Sequence, residues 1–520
     1  MGDVTHENEI RDNESHKNVT HENETQESDE EFTVDDALVA MGFGKFQFYL
    51  LAYAGMGWIA EAMEMMLLSF VGPAVQAEWG LSSNKESMIT TVVFFGMLIG
   101  AYSWGIVSDK FGRRNGFFIT AIFTSTAGFS SALAPNYTAL IIFRFFVGLG
   151  LGGGPVLSSW LLEFIPAPRR GTWMSVFSAF WTIGTLLEAS LAWLVMPTLG
   201  WRWLLAFSAV PSAVLLIFYT TAPESPRYLC RKGRADEAQE ILERIARMNH
   251  AELPPGVLVS DHQVAKVAEL PSEDAYLLSQ NKAENGTSDG LDSNVPKEAS
   301  VFTLLSPQLL RSTLLLWVVF IGNAFSYYGL VLLTTELSNK NNTCNPNDAP
   351  SESRKTVDVN YRDVFITSIA EFPGLLLSAA MVDKIGRKMS MASMFFLCCL
   401  FLLPLAFKQS GSLVTPLLFG ARICITATFT IVYIYAPEIY PTSVRATGVG
   451  VASAMGRIGG MTCPLVAVSL VHGCHRTAAI LLFEAIIFVS GVCVLFFPFE
   501  TSGRELTDDV SDMKPEVELT

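Results

Sequence analysis

The chain has 520 residues, half of them hydrophobic and only 16% Asp, Glu, Lys or Arg, well below the charged share of a soluble domain. With 36 Phe residues and a positive mean hydropathy, it reads as a membrane protein. The formal charge of −15 is unevenly placed, with many acids in residues 1–34 and 250–300, and no basic groove supports nucleic-acid binding.

Residues 1–34 are polar and acidic without an apolar leader core, so 1–45 reads as a disordered acidic tail and lead-in. Twelve apolar spans follow, at 46–74, 88–108, 116–134, 138–163, 172–196, 201–220, 312–335, 361–382, 389–408, 412–435, 448–470 and 477–498. Each supplies the roughly 20 residues that a bilayer demands, and backbone pairing inside lipid makes each a helix. The expected architecture is all-α and polytopic, with six helices in 46–220 and six in 312–498. Between them, 221–311 forms a linker in which Ala235–Met248 has amphipathic helical spacing through Ala238, Ile241, Leu242 and Ile245. Residues 499–520 form a second tail. Cysteines and histidines make no metal pattern, and no cofactor motif or obligate protein partner is indicated.

Charge sets the expected orientation. With the N-terminus in the cytosol, cytosolic loops hold Lys110, Arg113, Arg114, Arg169, Arg170, Lys384, Arg387, Lys388 and Arg445. The opposite loops hold only Lys85, Arg202, Lys408 and Arg476, which favours both termini inside. The loop 336–360 then faces out, with a glycosylation sequon at Asn341. Cys344 and Cys474 also face out and are candidates for a disulfide.

The two halves repeat. GIVSDKFGRR (105–114) is echoed by AAMVDKIGRK (379–388), EFIPAPRRG (163–171) by EIYPTSVRATG (438–448), and APESPR (222–227) by PFETSGRE (498–505). Arg144 and Arg422 repeat at a similar offset. These motifs, with RFFVGLGLGGGPV from Arg144 onward, resemble the major facilitator superfamily across nearly the whole chain. FTVDDALVAMGFGKFQFYLLAYAGMGWIAEAMEMMLLSF (32–70) resembles the synaptic vesicle two-related branch, with the strongest likeness to plant organic cation/carnitine transporters, a group related to bacterial nicotinate transporters. The second loop has Ala379 where the motif has glycine.

The resemblance implies a secondary transporter of a small organic ion, not an enzyme. The alternative on the same fold is a non-transporting ligand-binding or vesicle membrane protein. The repeated charges Asp109, Arg113, Asp383, Arg387, Glu163 and Glu438 read as a gate joining the bundles on the cytosolic face through charge-assisted bonds, or else as topology charges. Glycines 148–154 read as a sliding surface or as static packing. Glu61 and Glu64 lie in the middle of the first span on one helix face, and acids at that depth mark ion pathways or partners. Such a like-charge pair tends to retain one proton, so these acids, with Arg144 as a partner for one, are the expected proton-coupling site. Glu188, Glu371 and Glu484 are further acids within spans. Arg457 in VASAMGRIGG is the expected reader of a substrate carboxylate, or else a partner of Glu371 or another buried acid, with Trp58, Phe325 and Tyr328 as aromatic surface for a pyridine ring or a quaternary ammonium. The expected partners are a carboxylate-bearing or zwitterionic ion, protons and the lipid bilayer. The expected membrane is the plasma membrane, with a vacuolar or vesicle membrane as the alternative.

Overall fold

The computed structural model describes residues 31–166, 170–259, 304–337, 361–407, 411–441, 444–472 and 476–501. The first half contains β1 (Glu31–Phe32), α1 (Val34–Met41), α2 (Lys45–Trp79), α3 (Ser83–Phe111), α4 (Arg113–Ala132), α5 (Tyr137–Leu151), α6 (Gly154–Leu162), α7 (Arg170–Val195), α8 (Trp201–Ser208), α9 (Val210–Ile217), α10 (Pro226–Arg231), α11 (Ala235–Asn249) and β2 (Val257–Leu258). The second contains α12 (Leu310–Leu337), α13 (Tyr361–Ile369), α14 (Glu371–Ile385), α15 (Arg387–Leu402), α16 (Gly411–Ile439), α17 (Arg445–His472) and α18 (Arg476–Leu495).

Among the described residues, 11 helical stretches are long and apolar enough to cross a membrane. The remaining expected span is α4, a 20-residue helix rich in Ser and Thr. Its hydroxyls are satisfied by the preceding turn: Thr124 donates to the Thr120 carbonyl, Ser130 to Thr126 and Ser131 to Ala127. Such back-bonding hides polarity inside the helix, so α4 serves as a span despite its composition. Three expected spans are broken. The fourth turns at Gly152–Gly153 and resumes as α6 with Pro155 in its first turn, a position that tolerates proline. The sixth breaks at Ala209 ahead of Pro211, and the eighth at Ala370 between α13 and α14.

The glycines of 148–154 are packing surfaces within the first half. A Cβ on Gly152 would lie 2.6 Å from the Ala101 nitrogen of α3, and one on Gly154 would lie 2.5 Å from the Glu61 carboxylate. Gly148 abuts the Val93 backbone and Gly150 the Thr124 side chain. This close fit favours the static reading over a sliding surface.

Residues 31–45, expected as a disordered lead-in, are folded. Glu31–Phe32 pairs in parallel with Val257–Leu258. Thr33 caps α1 by accepting the Asp36 N–H, while Asp36 accepts the Thr33 N–H, a reciprocal capping box. Helix α11 buries Ala238, Leu242, Ile245 and Ala246, the apolar stripe expected from spacing, with Ile241 partly buried. At its end, Asn249 accepts the Phe46 N–H and donates to Gln47, which fastens the linker to the start of α2. Phe43 stacks on Trp173 of α7 with centroids 3.5 Å apart, and Asp35 pairs with Arg227. Tail and linker thus share one apolar cluster with the first half.

Candidate functional site

Two buried ion pairs lie at mid-depth, one in each half. Glu64 on α2 meets Arg144 on α5 at 2.9 Å with both side chains fully buried, and Ser131 accepts a second bond from Arg144. Glu371, the first residue of α14, meets Arg422 on α16 at 2.7 Å, both about 1% exposed. Its carboxylate also accepts from Tyr327 on α12 at 2.8 Å and from Thr185 on α7 at 3.0 Å. Burial without a partner would strand a charge in a low-dielectric interior, so these pairs explain how the chain carries such residues. Glu188 on α7 is buried against the Ser208 hydroxyl of α8, within electrostatic reach of Glu64 and Arg144.

Glu61, one turn before Glu64, has a different surrounding. Among the described residues it forms no ion pair or hydrogen bond, and it lines a cavity of about 40 Å³ with Gly57, Thr120, Thr124, Gly153 and Ser212. That is room for water, which needs ~10–15 Å³ on this measure. Among the described residues, the opposite charge that acts on it is Arg457 of α17, in the other half. Arg457 lines a second cavity of about 10 Å³ with Asn323, Tyr328, Phe429, Tyr433 and Ser453. Its guanidinium points toward Met97 Sδ of α3, 4.0 Å away, across the boundary between the halves. Asn323 is 1% exposed; its carbonyl accepts from Thr428 at 2.8 Å, and its amide nitrogen has no partner among the described residues.

The aromatic residues divide. Trp58 lies 5.1 Å from Phe177 and 5.4 Å from Trp181, centroid to centroid. Tyr328 packs edge-on to Phe94 at 4.7 Å and lines the Arg457 cavity. Phe325 instead packs on Phe483 of α18 at 5.1 Å, and it is not among the residues lining either cavity. The i,i+3 spacing from Tyr328 suggests a shared face, but the Phe325 ring turns to Phe483 of α18 while Tyr328 faces the Arg457 cavity.

At the face bearing the basic loops, the two halves repeat one device. Arg113 pairs with Glu163 at 3.2 Å inside the first half, and Arg387 with Glu438 at 3.2 Å inside the second. These pairs differ from the expected bonds joining the bundles, because each arginine opens a helix beside the end of another helix of its own half. Glu224 accepts the N–H of Arg114 at 3.1 Å, and Glu500 accepts those of Arg387 and Lys388 at 2.7 and 2.9 Å. A carboxylate at a helix start satisfies free N–H groups and opposes the helix dipole. Burial pushes the Glu224 carboxyl upward, partly offset by those N–H groups. Gly112 and Gly386, at φ +106° and +92°, leave the space those carboxylates fill. The Trp160 indole donates to the Pro223 carbonyl and the Tyr435 hydroxyl to Phe499, repeating the anchor as well. The side chains of Asp109 and Asp383, and all of Asn341, Cys344 and Cys474, lie outside the described residues.

Sequence reasoning missed Asn323, Thr185 and the capping role of Glu224 and Glu500. The matching PES and FET motifs carried a usable signal for the last two. Asn323 and Thr185 are ordinary polar residues in apolar helices and carried none. Among the described residues, no His, Cys, Asp or Glu cluster could hold a metal ion.

The sequence pattern of the family described as "Sugar (and other) transporter" matches residues 12–509. Organic cation/carnitine transporter 7 of Arabidopsis thaliana is 67% identical over 490 residues, covering 93% of this chain and 97% of that protein. Synaptic vesicle 2-related protein of Xenopus laevis is 38% identical, covering 92% and 83%. The inward open xylose transporter XylE from E. coli superposes with a TM-score of 0.64 at 17% identity, over 88% of this chain and 98% of that one, a likeness of fold. The duplicated helical halves, the paired loop motifs and these matches agree: the chain belongs to the sugar transporter family of the major facilitator superfamily and is closely related to a plant organic cation/carnitine transporter.

Proposed function

We propose that the chain is a proton-coupled secondary transporter of a small organic ion bound between its halves. The observation that carries this reading is that Glu61 of one half and Arg457 of the other, each lining a cavity in its own half, lie within electrostatic reach of one another. A carboxylate on the substrate suits Arg457, with Asn323 and Tyr328 beside it. A trimethylammonium group suits Glu61 and the Trp58 face. The name of the 67% identical relative supports carnitine as the first substrate to test, and nicotinate is the second. Glu61 is the proposed coupling acid, since Glu64 is occupied by Arg144. Phe325 is the weakest of the proposed substrate contacts.

The arginine and glutamate pairs at the basic face, with Asp109 and Asp383, are proposed to set the rate of alternation. The excess of basic loops on that face supports cytosolic termini and a glycan on Asn341 at the other face. The plasma membrane is the proposed location, with the vacuolar or vesicle membrane as alternative. Uptake of labelled carnitine and nicotinate into proteoliposomes, with and without an inward proton gradient, tests the reading. Gradient-driven accumulation supports it. Binding without uptake of either would assign the chain to a ligand-binding or vesicle membrane role instead.

A further inference from the structure

Glu371 occupies a place that the proposed transport cycle does not yet use. It stands at the break of the eighth span, where α13 ends at Ile369 and α14 begins. Pro373, in the first turn of α14, has no N–H to continue the ladder. Broken helices at membrane mid-depth are where transporters combine irregular backbone with moving parts.

The carboxylate is shared between the halves. Arg422 and Tyr327 donate to Oε1 from the second half, at 2.7 and 2.8 Å. Thr185 donates to Oε2 from the first half, at 3.0 Å. Tyr327 in turn accepts from the Trp181 indole of α7 at 3.0 Å, so the first half reaches Glu371 twice, once directly and once through Tyr327. Helix α7 presents Thr185 and Trp181 there, α16 presents Arg422, and α12 presents Tyr327 with Tyr328 nearby. Parting α7 from α12 and α14 must break both routes, while the Glu371–Arg422 pair stays intact within its own half.

The same contacts run back to the substrate region. Trp181 packs against Trp58 at 5.4 Å, and Tyr327 packs edge-on to Tyr328 at 5.2 Å and against Phe429 at 5.2 Å. Tyr328 and Phe429 line the Arg457 cavity. An occupant that moves Trp58 or Tyr328 therefore moves a donor in the Glu371 shell.

We propose that Glu371 is a positioning residue that latches the two halves at mid-depth, and that the Trp181–Tyr327 pair transmits occupancy of the central site to that latch. This rests on the transport reading above. It assigns Glu371 a role distinct from proton carriage by Glu61 and from carboxylate reading by Arg457.

The test uses the full chain in lipid nanodiscs, with spin labels at Leu199 and Phe407, exposed residues at the end of the first and second halves away from the basic loops. Thr185→Val and Tyr327→Phe each delete a donor to Glu371 and leave Arg422 paired, which avoids the misfolding that Glu371→Ala risks. Without ligand, each variant is expected to raise the population with separated halves by about ten-fold, the loss of one bond to a charged acceptor. Trp181→Phe is expected to keep carnitine binding within a few fold while abolishing the carnitine-dependent change in that distance. Distance distributions identical to wild type in Thr185→Val and Tyr327→Phe would overturn the latch. An unchanged carnitine response in Trp181→Phe would overturn the transmission. If the wild type neither binds nor transports carnitine, the substrate reading fails, and the ligand-free distances still decide the latch.

Discussion

Gly112→Ala is expected to destabilise the protein by about 3–5 kcal/mol, combining backbone strain of ~1–3 kcal/mol with weakening of a charge-assisted cap worth ~1.5–3 kcal/mol. Gly112 has φ +106° and ψ 152°, a conformation that side-chain-bearing residues avoid. Its missing Cβ is also the space into which Glu224 inserts to cap α4. A cycle with Glu224→Ala separates the two costs. The clash and the cap vanish together in the double variant, so Gly112→Ala in that background should cost only the strain. Thermal unfolding in detergent, followed by loss of the monodisperse peak, reads all four proteins. Gly386→Ala should behave alike, because Gly386 has φ +92° and a Cβ there would lie 2.7 Å from the Glu500 carboxylate. If Gly112→Ala unfolds within experimental error of wild type, the reasoning about both loops is wrong.

The raised Glu224 carboxyl has a further consequence. A carboxyl raised on folding stabilises most below its unfolded value, about 4.3, and that contribution is lost as pH rises through the folded value. Wild type should therefore lose ground to Glu224→Gln as pH rises above about 4, measured by parallel melts; a pH-independent difference would contradict this. Glu64→Gln should cost ~3–5 kcal/mol by stranding Arg144, whereas Glu61→Gln should fold normally, abolish proton-driven accumulation and retain substrate exchange. Arg457→Ala should weaken binding of carnitine far more than of its amide analogue, measured by calorimetry, and Arg457→Lys should recover part of the loss; equal losses for acid and amide would make Arg457 structural.

The spans, the duplication and the linker helix were legible because they depend on composition and period, which a single sequence displays directly. Glu64 with Arg144 was legible in part: a buried acid needs a buried base, and one lay in the fourth span. The sequence could not decide which acid, Glu61 or Glu64, takes Arg144, since both share a helix face and the choice depends on a small rotation of α2 against α5. Glu371 showed only as an acid in an apolar span. Its link to Thr185 and Tyr327 depends on how two separate halves meet, and no local pattern encodes that. The lead-in was misread because residues 31–41, despite Phe32, Val34, Leu38, Val39 and Met41, follow a long acidic stretch and are too few to bury their apolar face alone. Their apolar partners on α11 lie beyond all the helices of the first half in sequence.

The parallel pairing of Glu31 with Val257 also orders events at the ribosome. The strand at residues 31–32 cannot find its partner until every helix of the first half and the linker helix have been synthesised. At about 5–20 residues per second, β1 and α1 wait many seconds with Phe32, Val34 and Leu38 uncovered, side chains that end up buried. The strand therefore closes the first half after its helices are inserted, as a late quality mark of correct assembly. A cut inside α1 would leave the apolar stripe of α11 exposed in a half whose helices had already been inserted.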